Sequence, residues 1–125
     1  MSWTAARAAL DGRMASLPSL GTSKIAWPNV PLAAQTALYY AVNFLPATVQ
    51  PELQGSDHET GIYQVSIWAP AGGGIGAAIT AAQAVADHFK RQTLSGISCG
   101  VPTLAPPIQE PDWLHIPVSI PFTAL

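Results

Sequence analysis

Six consecutive residues, Gly72 to Ala77 with the sequence GGGIGA, form the segment best suited to bind a ligand. A glycine-rich turn that opens a helix presents backbone N–H groups and the positive end of the helix dipole to a phosphate. A dinucleotide site also needs a parallel βαβ unit and an acidic residue about 20 positions further on. Asp87 falls inside the predicted helix, Glu110 and Asp112 come too late, and no Lys-Ser or Lys-Thr pair follows. A sharp reversal from strand to helix is therefore favoured, and nucleotide binding is kept as the alternative.

Histidine, cysteine and acidic residues form no recognisable catalytic or metal-binding pattern. The three histidines, His58, His88 and His115, share no short spacing. Residues 57–59, Asp-His-Glu, could touch a divalent ion, but neighbours on a loop do not preform a coordination shell, so a solvated hairpin tip is preferred. Cys99 has no CxxC partner and is interpreted as a buried small thiol. We therefore expect no enzyme activity, no cofactor and no metal site.

The low charge of the chain indicates a subunit that completes its burial against neighbours. Of 125 residues, 10% are charged and 49% are hydrophobic, whereas about 25% are charged in typical soluble domains. Five basic residues and a net charge of −2 cannot build the cationic surface that grips a nucleic acid backbone. Two long stretches, residues 25–51 and 60–86, contain no charged residue, but prolines and glycines interrupt both, so no membrane span is predicted. The N-terminus lacks an apolar run, so no signal peptide is predicted. We expect a single domain over residues 1–125, kept in a cytoplasm.

Hydrophobic periodicity predicts the elements that position these residues. A first helix follows an N-cap at Ser2, a short strand covers residues 24–27, and a second strand over residues 37–45 is halted by Pro46. Tyr63, Val65, Ile67 and Ala69 face one side of a third strand. It pairs with the second strand through a long hairpin loop at about residues 46–60.

A second helix begins near Ile75, with Ile79, Ala82, Val85 and Phe89 on its buried stripe. Strand pieces follow at residues 97–101 and 107–109. The last strand has its core residues at alternate positions from Leu114 to Phe122. Because Pro117 and Pro121 lack an N–H on one edge, it is predicted to be an outer strand. The order α-β-β-β-α-β-β gives an α+β fold, with two helices on an antiparallel-rich mixed sheet of four to five strands.

Two tryptophans, Trp68 and Trp113, lie on strand faces opposite the core positions. An aromatic residue there suits a helix packed on that face or a partner subunit, and the sequence leaves both possibilities open.

Four segments carry a resemblance to a known family: IAWPNVP (25–31), YYAVNFLP (39–46), GIYQVSIWAPAGGGIGAA (61–78) and PPIQEPDWLHIPVSIPF (106–122). Through them most of the chain resembles the tail terminator proteins of long-tailed phages. The resemblance implies a structural virion protein that caps the tail tube as a ring, usually of six subunits. Such a ring ends tube polymerisation and provides the docking surface for the head and neck.

The same resemblance implies the partners and the location. The partners would be further copies of this chain, the major tail tube protein and a head–tail connector or neck protein, with DNA passing through the ring without specific binding. The protein would be assembled in the host cytoplasm and would lie at the tail–neck junction. Another head–tail joining protein, or a small-ligand or nucleotide-binding domain, is the alternative.

Two groups of residues are predicted to contact partners. The first lies in the loop at residues 46–60, chosen for its length and acidic residues, and comprises Glu52, Gln54, Asp57, His58 and Glu59. The second group is Trp68 and Trp113, placed at a contact between subunits.

Overall fold

Two helices lie against one large sheet in a computed structural model that describes residues 3–17, 25–30, 38–51, 57–94 and 96–124. The helices are α1 (Trp3–Ala15) and α2 (Gly76–Phe89). The strands are β1 (Ile25–Ala26), β2 (Tyr39–Pro51), β3 (Asp57–Pro70), β4 (Thr93–Leu94), β5 (Ile97–Cys99), β6 (Thr103–Leu104), β7 (Ile108–Gln109) and β8 (Trp113–Ala124). The predicted N-cap Ser2 lies outside the described residues. No helix in these ranges is long and apolar enough to cross a bilayer.

The described strands follow the order β1-β2-β3-β8-β5-β4, and β6 and β7 also pair with β8. Only β1 and β2 run parallel, whereas the remaining pairs of described strands are antiparallel. The predicted α+β class and antiparallel-rich mixed sheet are confirmed. The predicted number of strands, four to five, is too low, because the sheet has eight strands within the described residues alone. Several of the extra strands are two residues long, and two residues cannot display an alternating pattern.

The second and third strands are longer than predicted. Pro46 does not end β2, which continues to Pro51, and β3 already begins at Asp57. The segment predicted as a loop at residues 46–60 is therefore largely the two arms of a hairpin. A register shift between Pro46 and Val49 marks a bulge. Proline is tolerated at bulges and on outer strands, where its missing N–H breaks no ladder bond.

The strand β8, predicted at the outside of the sheet, instead lies at its centre. It pairs with β3 along its whole length and with β5, β6 and β7 on its other side. The carbonyl groups of Pro121 and Pro117 accept hydrogen bonds from the N–H groups of Gly100 (2.8 Å) and Ala105 (2.9 Å). The nitrogens of these prolines face the same side but cannot donate in return. The chain on that side is consequently broken into three short strands.

The core lies between the helices and one face of the sheet, as the periodicity predicted. The inward residues of β3 and β8 are buried, and Tyr63, Val65, Ile116 and Val118 are fully so. Helix α1 buries Ala6, Leu10 and Met14, and helix α2 buries Ala78, Ala82, Val85, Ala86 and Phe89. The prediction for Ile79 is wrong, because this residue is 38% exposed. Ile79 lies beside the buried stripe. The stripe itself consists largely of small alanines, which allow α2 to pack closely on the sheet.

Three contacts fix the helices and strands on this inner side. The Tyr63 hydroxyl donates a 2.6 Å hydrogen bond to the Asp11 carboxylate of α1. Both Nε and Nη2 of Arg13 donate to the carbonyl oxygen of His88, at 2.9 and 2.7 Å, near the end of α2. Gly61 lies beneath the Phe122 ring, and a Cβ there would approach the ring Cζ to 2.8 Å. The helices therefore occupy the inner face of the sheet.

Candidate subunit-contact surface

The opposite face of the central strands carries no Asp, Glu, Lys or Arg among its residues whose side chains are described. We call it the outer face and define it by four rows of paired residues on β2, β3 and β8: Tyr39–Trp68–His115, Ala41–Ser66–Pro117, Asn43–Gln64–Ser119 and Leu45–Ile62–Pro121. Neither described helix packs on this face, since the helices contact side chains of the other parity. The outer face is thus a sheet surface without charge at its centre.

One end of the outer face carries four rings, which we call the aromatic cluster: Tyr39, Trp68, Trp113 and His115. The Trp68 and His115 rings stack with their centroids 4.1 Å apart. Tyr39 stacks on Trp68 at 6.1 Å and meets Trp113 edge-on at 5.3 Å. Trp113 enters the cluster from the neighbouring row, where it pairs with Pro70. The rings are therefore held by mutual contact on three adjacent strands.

The aromatic cluster is partly exposed and has polar groups at its boundary. All four of its residues are intermediate in exposure. Burial, followed by the nearby charge of Glu110, raises the pKa of the Tyr39 hydroxyl. The Nδ1 atom of His115 is buried and has no hydrogen-bond partner among the described residues. Large rings that keep accessible surface and polar tips are typical of protein contact surfaces.

The other end of the outer face is aliphatic. Leu45 is 44% exposed and Ile62 is 38% exposed, and both lie in the row that contains the exposed Pro121. Two rows lie between this aliphatic end and the aromatic cluster. The row next to the aliphatic end carries the amide and hydroxyl side chains of Asn43, Gln64 and Ser119, and the other row consists of Ala41, Ser66 and Pro117. The two ends of the same face thus differ in chemistry, one being aromatic and the other aliphatic.

Of the two predicted contact groups, only the tryptophans have side chains that the structure describes. Trp68 and Trp113, predicted separately, come together in the aromatic cluster. Glu52 and Gln54 lie outside the described residues. Asp57, His58 and Glu59 are part of strand β3 rather than of a loop, and only their backbone is described.

Sequence reasoning missed two members of the cluster. Tyr39 immediately precedes Tyr40, which is buried, so alternation along the strand places Tyr39 on the opposite face. His115 alternates in the same way with Leu114 and Ile116. Their meeting with the tryptophans depends on the register that pairs Tyr39 with Trp68 and Trp68 with His115. That register cannot be read from either strand alone.

The glycine-rich segment forms an exposed reversal from β3 into α2. Gly72 and Gly74 have φ values of 91° and 76°, which residues with a side chain rarely adopt. The Ala71 N–H donates to the Asp112 carbonyl at 3.0 Å and ties the turn to the start of β8. Strand β5, after the helix, does not pair with β3, because β8 lies between them and antiparallel to both. The parallel βαβ unit of a dinucleotide site is therefore not formed.

The remaining reactive side chains are dispersed. No three histidine, cysteine or acidic residues are grouped closely enough to hold a metal ion in the described part of the chain. Cys99 is buried as predicted, and burial raises its pKa to about 11, so the thiol stays protonated at neutral pH. The Nε2 atom of His88 is 2.9 Å from the Arg13 carbonyl oxygen and 3.0 Å from the Ser16 hydroxyl. These contacts join the ends of the two helices.

Comparison with known proteins agrees with the resemblance noted from the sequence. The sequence model of the family described as "Phage tail terminator protein" matches residues 5–122. One solved structure aligns with 100% of this chain and 96% of its own, with a TM-score of 0.76 and 21% identity, and thus shares the fold. A search of curated proteins finds no match. Because the family match spans nearly the whole chain, this protein belongs to the phage tail terminator family and is a structural protein of the phage tail.

Proposed function

We propose that the protein assembles into a ring that caps the tail tube, stops its polymerisation and offers a docking surface to the head and neck. The observation that carries this proposal is the outer face of the sheet, which has no charged side chain among its described residues and which neither helix covers. Membership of the tail terminator family makes the protein a virion component and supplies the biological setting. The surface supplies a physical reason for self-association.

The composition of the outer face suits a contact between proteins. The cores of such contacts are depleted in charge and enriched in tyrosine and tryptophan, with a polar rim around them. The aromatic cluster meets this description at one end, and Leu45 and Ile62 add exposed apolar area at the other. A ring formed by one repeated contact is heterologous, so every subunit needs two different complementary surfaces. A face with two chemically distinct ends meets that requirement.

The hairpin of β2 and β3 is proposed as the contact with the tube or the neck. Its arms continue past Pro46, and Asp57, His58 and Glu59 lie on β3 next to the connection at residues 52–56. Glu52 and Gln54 belong to that connection in the sequence. Deletion of residues 54–59 would shorten β3, so replacing Glu52, Asp57 and Glu59 by glutamine is the better test. We expect rings to form normally and tail joining to be impaired.

Negative-stain microscopy and light scattering of the purified protein test the ring directly. We expect rings with a central hole, or caps at tube ends when tail tubes are added. A protein that remains monomeric at high micromolar concentration, with or without tubes, would contradict the proposal. Rings that bind head connectors but never bind tubes would instead favour another head–tail joining protein. A nucleotide that raises the melting temperature of a monomeric protein would favour the small-ligand alternative.

A charge placed in the middle of the outer face tests the contact without opening a cavity. Asn43 is exposed in the central polar row, so Asn43→Lys should leave the subunit folded and weaken ring formation. Gln83→Lys on the exposed side of α2 adds the same charge and should leave assembly unchanged. Trp68→Ala with Trp113→Ala tests the aromatic cluster itself, with Trp3→Ala on the helix side as the control. Unchanged rings in all outer-face variants would remove this surface from the contact.

A further inference from the structure

Two exposed acidic residues flank the aromatic cluster. The Glu110 N–H donates to the Trp113 carbonyl oxygen at 2.7 Å, and Asp112 immediately precedes Trp113. Both side chains are exposed, and the charge of Glu110 is close enough to Tyr39 to contribute to the raised pKa of its hydroxyl. The cluster and these two carboxylates together form what we call the acidic end of the subunit.

Two exposed basic residues lie at the opposite end of β8. Lys90 and Arg91 follow the last residue of α2, and the Arg91 N–H donates to the Gly100 carbonyl oxygen at 3.1 Å. The Gly100 N–H in turn donates to the Pro121 carbonyl oxygen at 2.8 Å, which places this basic end beside the aliphatic row. Trp113 and Pro121 are eight positions apart on one strand, so the two ends lie roughly 27 Å apart.

Neither charged group is neutralised within the described part of the subunit. The ion pair found there joins Arg7 and Asp11 on α1, at 3.3 Å. Lys90 and Arg91 have no carboxylate of the described chain within ion-pair distance, and the same holds for Glu110 and Asp112 toward basic groups. Each subunit therefore presents an exposed acidic pair beside the aromatic cluster and an exposed basic pair near the aliphatic row, and the term basic end refers to this basic pair. Asp57 and Glu59 lie on β3 at the same end of the sheet as the basic pair, and Asp87 lies on α2 three positions before Lys90. The acidic and basic pairs complement each other but are too far apart to meet in one molecule.

We propose that the acidic end of one subunit docks on the basic end of a second copy of the chain, and that this head-to-tail contact closes the ring. The inference rests on the ring proposed above and adds the two surfaces that form its repeated contact. Lys90 and Arg91 of one copy would face Glu110, Asp112 and the aromatic cluster of the next. A contact between different surfaces is heterologous, which is the type that builds rings.

Interface chemistry explains why these charges matter although single surface ion pairs are weak. Complementary charges steer the encounter and fix the register, and like charges brought together strongly disfavour a contact. A guanidinium or ammonium over a tryptophan or tyrosine face gains a further cation–π attraction once water is displaced. The basic end of one subunit would make both interactions with the acidic end of its neighbour.

The spacing of the two ends is compatible with an open ring. Contacts about 27 Å apart in a six-membered ring lie about 27 Å from its axis, because the side and the radius of a hexagon are equal. A two-layer subunit about 20 Å thick would then leave a central opening of roughly 25 to 35 Å. Strand β8 would run approximately around the ring rather than along its axis.

Charge exchange between the ends tests the contact. One variant carries Lys90→Glu and Arg91→Asp, and the other carries Glu110→Lys and Asp112→Lys. Aspartate is chosen at position 91 because Arg91 has a φ of 54°, a conformation that aspartate tolerates better than glutamate. In each variant both ends have the same sign, so we expect the concentration at which rings dissociate to rise at least tenfold. Arg7→Glu, within the α1 ion pair, is the control and should assemble as the wild type does.

Mixing the two variants distinguishes a direct contact from a general effect of charge. In an equimolar mixture the altered ends are again complementary, so we expect rings in which the two variants alternate, visible by native mass spectrometry. The variant with all four substitutions keeps the net charge of −2 and should also form rings. Assembly should weaken with added salt in the wild type, because screening shortens the range of these interactions.

Each remaining outcome counts against a specific statement. If wild-type rings form and both double variants assemble equally well, the proposed contact is wrong while the ring stands. If the double variants dissociate but neither the mixture nor the fourfold variant forms rings, the pairing of these two ends is wrong. If the wild type forms no ring by itself or on tail tubes, the proposed function fails and the contact with it.

Discussion

Replacement of Tyr63 by phenylalanine should measure how strongly α1 is anchored to the sheet. Tyr63 is fully buried, and its hydroxyl donates to the Asp11 carboxylate at 2.6 Å. Phenylalanine keeps the ring against Phe89, whose centroid is 5.6 Å away, and removes only the hydroxyl. The substitution therefore isolates one hydrogen bond from the packing around it.

The magnitude follows from the charge and exposure of the acceptor. Hydrogen bonds to charged groups contribute about 1.5–3 kcal/mol to stability. The Asp11 side chain is 21% exposed and keeps its pairing with Arg7, so water and the guanidinium can partly replace the lost donor. We expect a loss near the lower limit, about 1.5 kcal/mol, equivalent to roughly 6 °C in melting temperature for a chain of this length.

Urea denaturation at matched protein concentration gives the free energy of unfolding, since self-association would otherwise alter the apparent stability. A cycle with Asp11→Ala should show coupling of about 1 kcal/mol between the two positions. Tyr40→Phe is the control, because the Tyr40 hydroxyl makes no hydrogen bond to a described residue and is not among the buried polar atoms left without a partner, so its loss should cost under about 0.5 kcal/mol. A Tyr63→Phe variant as stable as the wild type, or a coupling near zero, would refute the anchoring role.

Perturbations at four further positions test the core and the helices. Gly61→Ala should destabilise the protein by about 2 kcal/mol or more in urea denaturation, because its Cβ would collide with a backbone oxygen and a buried ring. Gly12→Ala, with nothing within 4 Å of the new Cβ, should stabilise α1 by about 0.5–1 kcal/mol, and equal effects at both positions would contradict the packing argument. Arg13→Ala should cost about 1–2 kcal/mol by freeing the His88 carbonyl, whereas Arg13→Lys should cost less, and identical urea midpoints would oppose that role. Burial raises the pKa of Cys99 in the folded state, so the protonated thiol contributes its full stability below pH 9 and progressively less toward pH 11. The free energies of unfolding of the wild type and Cys99→Ala should therefore converge between pH 9 and 11. An unchanged difference between them would show that the thiol ionises equally in the folded and unfolded states.

Alternation within single strands was enough to predict the core. The inward residues of β3 and β8 were assigned correctly because a side chain in a strand can take only one of two faces. The helical stripe was less certain, since a helix distributes its residues continuously around its axis. Ile79 therefore fell outside the buried stripe although its spacing fitted.

Strand neighbours could not be predicted from the same pattern. The prolines of β8 were interpreted as protection of an outer edge, and their physical effect was real, but it fragmented the adjacent chain into β5, β6 and β7 instead of excluding it. Whether a second segment can still pair beside a strand that contains prolines depends on how that segment bends between its remaining hydrogen bonds. The local sequence of β8 does not contain that information.

The candidate surface could be predicted only in part, because it depends on the register between strands. Trp68 and Trp113 were recognised by type and parity, but the cluster also needs Tyr39 and His115 in register. The acidic and basic ends emerge only when residues distant in the chain, such as Arg91 and Glu110, are placed along one strand. Their opposition is a property of the topology rather than of any motif.

The central position of β8 has a consequence for the order in which the protein can fold during synthesis. β8 is the last described element in the chain, yet β3 on one side and β5 on the other pair with it rather than with each other. In a nascent chain that lacks β8, helices and hairpins can form, but no strand joins β3 to β5 in one sheet. Ribosomes extend the chain by about 5–20 residues per second, so this state exists during every round of synthesis. Incomplete chains therefore lack the finished outer face, the surface proposed for contact between subunits.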